Sequence, residues 1–201
     1  MSFIPLGEEC CTCESIDSKF NADIRKCAYP FDYVGHTFVD KLASKIENLM
    51  NDEELNNISI KQFGDKYFYV DEKYGFNYWH DTNYTTIDQF TEIDKSTFIE
   101  KYNRRYQRLK DAMTQDNIFI SCCHFDNIYS NNYKKDSIIN LYNTLNKFNP
   151  NSKMISFNYD ADNFTIDNLT NVNISYTKTD NFEESKNNFK KELFNYIHKI
   201  I

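Results

Sequence analysis

Asn117-Ile118-Phe119-Ile120-Ser121-Cys122, then a helical stretch from Lys134 to Phe148, then Met154-Ile155-Ser156-Phe157, is the run that decides the fold. Two short apolar runs separated by one helix-length segment read as strand, helix, strand. Strands joined this way lie parallel, with the helix packed on a face of their sheet. The alternation continues, since Val172–Tyr176 reads as a strand and Phe182–Ile200 as a terminal helix. The expected fold is α/β: one domain over residues 1–201, with a central, mostly parallel sheet and flanking helices.

Working outward, Ser2–Leu6 is a short apolar strand ended by Gly7. Glu8 and Glu9 suit the first turn of a helix running to about Phe20. Thr37 is placed to cap a second helix to about Asn48, with Phe38, Leu42, Ile46 and Leu49 at helical spacing. Tyr67–Val70 and Phe76–Trp79 form a hairpin around the loop Asp71–Gly75, and this hairpin carries His80. A long helix is expected from Ser96, or a residue earlier, to Met113. It has Phe98, Tyr102, Tyr106, Leu109 and Met113 on its buried side.

A chain of 201 residues with 40% hydrophobic and 16% aromatic composition has the material for a core. Its net charge of −7 argues against general nucleic-acid binding, which needs a basic face. No apolar run reaches the roughly 18 residues of a membrane span, and the first residues lack the basic and apolar regions of a signal peptide. The expected location is therefore the cytoplasm (a host's, if the chain is viral), with no membrane partner. The six cysteines, Cys10, Cys11, Cys13, Cys27, Cys122 and Cys123, include two adjacent pairs. Neighbours bridge each other only with strain, so free thiols are expected. No cofactor is called for.

Helical geometry separates the N-terminal thiols. Cys13, Ile16 and Phe20 share the core face, Cys11 lies nearly opposite, and Cys10 sits at the border in the first turn. Unpaired N–H groups and the positive end of the helix dipole favour a thiolate there, and the same N–H groups can hold an oxyanion. A thiol nucleophile needs a base, and the histidines are His36, His80, His124 and His198. His80 follows an aromatic strand ending in Trp79 and precedes Asp81, a common way to present an imidazole to a cleft; a plain turn histidine is the alternative.

These residues, taken in order, resemble a known family. Leu6-Gly7-Glu8-Glu9-Cys10, Arg25, Tyr29-Pro30-Phe31-Asp32-Tyr33, His80-Asp81 and the helical set Tyr102, Arg104, Arg105 and Arg108 are similar to the pattern of uncharacterised proteins labelled as papain-like cysteine peptidases. That family occurs in bacteria and some large DNA viruses, and the likeness covers about residues 2–125. It implies Cys10 as nucleophile and His80 as base, acting on a peptide or protein substrate, which includes ubiquitin-like tails. Pro5 stands where the family has Ser, and Tyr33 where it has Trp.

For the orienting carboxylate, Asp32 matches the family pattern, though it could equally close a turn or cap a helix. Asp81 neighbours His80, but adjacent strand residues point to opposite faces unless the strand has ended. Asp160 is a more distant choice. Arg25, Tyr33 and Trp79 are candidates for substrate contact. So are Arg104, Arg105 and Arg108, which share a stripe with Lys101 that otherwise reads as a solvated face with local ion pairs. Two other readings stay open: a non-catalytic binding or host-interaction domain, and a zinc site drawn from Cys10, Cys13, Cys27, Cys122, Cys123 and His124.

Overall fold

The computed structural model describes residues 2–6, 28–32, 34, 39–82, 84–122, 135–158 and 162–200. The expected α/β architecture is present, in two sheets. The larger has five strands in the order β1-β5-β6-β8-β7: β1 (Phe3–Pro5), β5 (Ile118–Cys122), β6 (Lys153–Asn158), β8 (Leu169–Asn173) and β7 (Phe164–Ile166). Neighbours from β1 to β8 run parallel, and only β7 is antiparallel. The smaller sheet is antiparallel in the order β2-β3-β4: β2 (Ile58–Phe63), β3 (Lys66–Asp71) and β4 (Phe76–Asn77).

Four α-helices lie among the described residues: α1 (Val39–Met50), α2 (Glu92–Met113), α3 (Lys135–Phe148) and α4 (Phe182–Ile200). Successive crossovers step the same way from β1 to β5 to β6. The rule of right-handed connections predicts that helices from both crossovers share a face, and α1 packs on α3.

The strand pairing locks early in the chain to late. Phe3, Ile4 and Pro5 pair with Ile118, Phe119 and Ile120, and the Leu6 N–H continues the ladder to the Ile120 carbonyl at 2.6 Å. The Ser2 N–H donates to Asn117 Oδ1 at 2.8 Å, and Asn117 Nδ2 donates to the Ala112 carbonyl at 2.7 Å. One asparagine thus joins the start of β1 to the end of α2.

Helix α2 starts earlier than its apolar spacing suggests. The Thr91 side chain accepts from the Asp94 N–H, and Glu92 and Asp94 complement the dipole in the first turn. Its buried side is the expected one, with Ala112 added. The expected strand over Val172–Tyr176 lies earlier, at Leu169–Asn173, paired with the unexpected β7 through an Asp167-Asn168 turn in which Asp167 has φ 49°. The strand expected to reach Trp79 ends at Asn77, so His80 stands on a turn and not on a strand. Strand β2 was not expected; it joins β3 through Gly64-Asp65, with Gly64 at φ 60°.

Lys45 of α1 is the one buried lysine among the described residues, at 1% exposure. Its ammonium lies 2.9 Å from Glu53 Oε1 and 3.3 Å from Asp71 Oδ2. It also sits over the rings of Tyr74 and Tyr106, 4.7 and 4.9 Å from their centroids. This cluster bolts the small sheet to α1 and α2. Burying a charge is tolerable only with such partners, and removing one strands the others. Lys45→Met should cost about 3 kcal/mol, read as a lower urea midpoint at unchanged slope; a midpoint equal to the parent's would show that the cluster does not hold the small sheet.

Candidate functional site

The site is built around the turn that follows β4. The Asp81 and Thr82 N–H groups both donate to the Tyr78 carbonyl, at 3.2 and 3.1 Å. Thr82 Oγ1 also donates to that carbonyl at 2.9 Å and accepts from the Tyr69 N–H at 3.0 Å. The turn is therefore stitched to itself and to β3. At its tip His80 is exposed.

The residues on either side of His80 are anchored. Trp79 stacks on Phe68 at 4.4 Å with 21° between planes, and it meets the edge of Phe63 at 5.4 Å. Phe63 is 68% exposed, so this aromatic group reaches solvent beside the histidine. Asp81 turns to α2: Lys101 Nζ bonds to Oδ1, and the Tyr102 hydroxyl donates to Oδ2. Arg105 Nη1 reaches the same Oδ2 at 3.2 Å and Tyr102 Oη at 3.1 Å. Burial opposes ionisation of Asp81. Hydrogen bonds from Lys101 and Tyr102, with the charges of Arg105 and Lys101, outweigh it and hold the carboxyl below its ordinary value.

Beneath the turn lies an aromatic stack. Tyr78 packs against Phe98 and Tyr102 at 5.0 and 4.5 Å, and its hydroxyl is 3.3 Å from that of Tyr106. Burial pushes the Tyr78 and Tyr102 phenols well above their usual value, so both stay neutral donors.

Asp32 is fully buried, and its Oδ2 accepts from the Tyr29 N–H at 2.9 Å. It thus closes the Tyr29-Pro30-Phe31-Asp32 turn, one of the roles its sequence allowed. Phe31 packs edge-on against Phe76 at 5.9 Å, which places this loop on β4, just ahead of the His80 turn. Arg108 Nη1 holds the same loop by donating to the Ala28 carbonyl at 3.1 Å. Arg105 is committed to Asp81. Arg104 faces Glu100 at 4.0 Å with both side chains largely exposed, a pair worth little.

Cys10, Arg25, Tyr33 and Asp160 lie outside the described residues, as do His36, His124 and five of the six cysteines. Cys122 is buried on β5, and among the described residues no group of three His, Cys, Asp or Glu side chains is placed to hold a metal. No described helix is long and apolar enough to cross a membrane.

The parallel sheet becomes polar toward its carboxyl ends. Ser121, Ser156 and Asn171 stand side by side in register, all buried, with buried Asn158 further along β6. Sheets of this kind place their chemistry beyond those ends, and Cys10 follows the carboxyl end of β1 by five residues. The cluster around Lys45, with Glu53 and Asp71, was missed from the sequence. Its signal was present, since Lys45 stands between Leu42 and Leu49 at positions i+3 and i−4, inside the apolar stripe of α1.

Compared with known proteins, the chain matches no family model, no curated protein and no solved structure.

Because the Asp81 carboxyl is held below its ordinary value of 3.8 when folded, its stabilising effect is complete above about pH 5 and fades as the pH falls through the lowered value. Asp81→Asn should lower stability by about 2 kcal/mol at neutral pH. Its urea midpoint should also fall less steeply than the parent's on acidification below about pH 4. Parallel acid limbs would mean that the Asp81 contacts carry no charge-dependent stability.

Proposed function

We propose that the chain is a thiol hydrolase of the cysteine-peptidase kind, with Cys10 as nucleophile and His80 as base. The observation that carries this reading is the presentation of His80: its turn is fixed on both sides, and its imidazole is exposed. The order of motifs in the sequence, with Cys10 at an expected helix start just past β1, supports it.

In this mechanism His80 takes the thiol proton, and the thiolate attacks the carbonyl carbon of a peptide or isopeptide bond. Backbone N–H groups at residues 10–11 receive the oxyanion. The protonated imidazole then gives its proton to the departing amine, which leaves an acyl-enzyme. Water, deprotonated by His80, hydrolyses the thioester and regenerates the thiol. Asp32 is the proposed orienting carboxylate, and Trp79, Tyr33 and Arg25 are the proposed substrate contacts. A reducing cytoplasm suits a catalytic thiol.

The exposed aromatic group of Phe63 and Trp79 favours a second reading, a binding domain that recognises a partner without cleaving it. Alkylation separates the two. Iodoacetamide should label Cys10 at least tenfold faster than a free thiol at pH 7, Cys10→Ala should abolish that fast phase, and His80→Ala should slow it. A fast phase that survives Cys10→Ala, or no fast phase at all, rules out the hydrolase.

A further inference from the structure

We propose that Asp81 is a positioning residue: the Lys101–Tyr102–Arg105 clamp of α2 seizes its carboxylate and thereby sets where the His80 imidazole stands. The inference rests on the reading of His80 as base, and it assigns α2 a part in that site.

Three observations converge on it. The first is the origin of the donors. Lys101, Tyr102 and Arg105 occupy positions i, i+1 and i+4 of one helix, so a single rigid element supplies an ammonium, a phenol and a guanidinium to one carboxylate. Both carboxylate oxygens are engaged by that helix.

The second is that the clamp is organised by its own packing. The Tyr102 ring is held by Phe98 at 4.7 Å and Tyr78 at 4.5 Å. The Arg105 guanidinium lies over that ring, 4.9 Å from its centroid, and bonds to its hydroxyl. The phenol and guanidinium are thus aimed at the Asp81 position by contacts that do not involve Asp81. Lys101, at 37% exposure, is the open member.

The third is the form of the turn. Thr82 fastens the chain just after Asp81, and Trp79 fastens it just before His80. With Asp81 also tied down, the His80 main chain has anchored neighbours on both sides. Fixing a base in this way removes in advance the entropy its alignment would cost during the reaction. An aspartate that touched the imidazole directly would orient the ring; Asp81, held by α2, places the backbone that carries it.

The test uses the full chain and three measurements: amide exchange of residues 78–82, the NMR signals of the His80 ring (assigned by their loss in His80→Gln), and the rate of Cys10 alkylation by iodoacetamide. Asp81→Asn and Arg105→Gln should each speed exchange in the turn about tenfold and slow alkylation about tenfold, and both should shift or broaden the ring signals. The double variant should be no worse than either single one, because both break the same clamp. Arg105→Lys, which keeps the charge, should restore much of the rate and serves as the reporter if Arg105→Gln does not fold. The proposal is overturned if Asp81→Asn slows alkylation while Arg105→Gln leaves alkylation and exchange unchanged, since Asp81 would then act on the imidazole itself. It is equally overturned if neither variant alters exchange or the ring signals. If His80→Gln leaves alkylation unchanged, the reading of His80 as base fails, and exchange and ring signals alone decide the positioning role.

Discussion

A buried ammonium organises this molecule. Lys45 gives up its hydration inside the protein, and its neighbours must replace that hydration. They come from separate stretches of chain: Glu53 from the loop after α1, Asp71 from the end of β3, Tyr74 from the following turn and Tyr106 from α2. Asp71 also accepts from the Lys73 and Tyr74 N–H groups, at 3.0 and 3.3 Å, so the carboxylate that pairs with Lys45 shapes the β3–β4 turn as well. Polar groups of this kind need particular partners in particular places, where apolar ones accept many arrangements. The small sheet is therefore held in one setting against the helices.

That setting reaches the candidate site through α2. Tyr106 faces Lys45, and the preceding turn of the helix carries Tyr102, Lys101 and Arg105 to Asp81. Tyr78 stands between the two clusters, with its hydroxyl near that of Tyr106 and its ring against Tyr102. A displacement of the small sheet relative to α2 would strain both clusters together. The turn bearing His80 inherits its rigidity from this arrangement and not from its own short sequence.

The parallel sheet was legible because β5, α3 and β6 alternate with clear lengths and apolar periods. Helix α2 was legible over most of its length, and its start was misjudged because Thr91 announces it by a cap and not by an apolar residue. Strands β2, β7 and β8 were obscure for a different reason. Lys61, Gln62, Thr170 and Asn171 break the alternation, and what marks these strands is turn chemistry at Gly64-Asp65 and Asp167-Asn168. At the site, His80 stood out beside Trp79, but the partners of Asp81 did not. The approach of residues about 20 apart depends on how α2 crosses the small sheet, and no local pattern encodes that. Lys45 shows the reverse case, a charge within an apolar stripe whose meaning depends on distant carboxylates.

The pairing of β1 with β5 also governs the order in which the molecule can assemble. Phe3 meets Ile118 across more than half of the chain, whereas β5 and β6 are joined by a single helix. Closing the long loop costs more entropy than closing the short one. The β5–α3–β6 unit is therefore the natural nucleus, with β1 arriving last along its free edge. During synthesis β1 leaves the ribosome before β5 and waits for its partner until residue 118 has been made. Through that interval β1 has no sheet to join. Any function that needs β1 in its sheet is then withheld until β5 has been made.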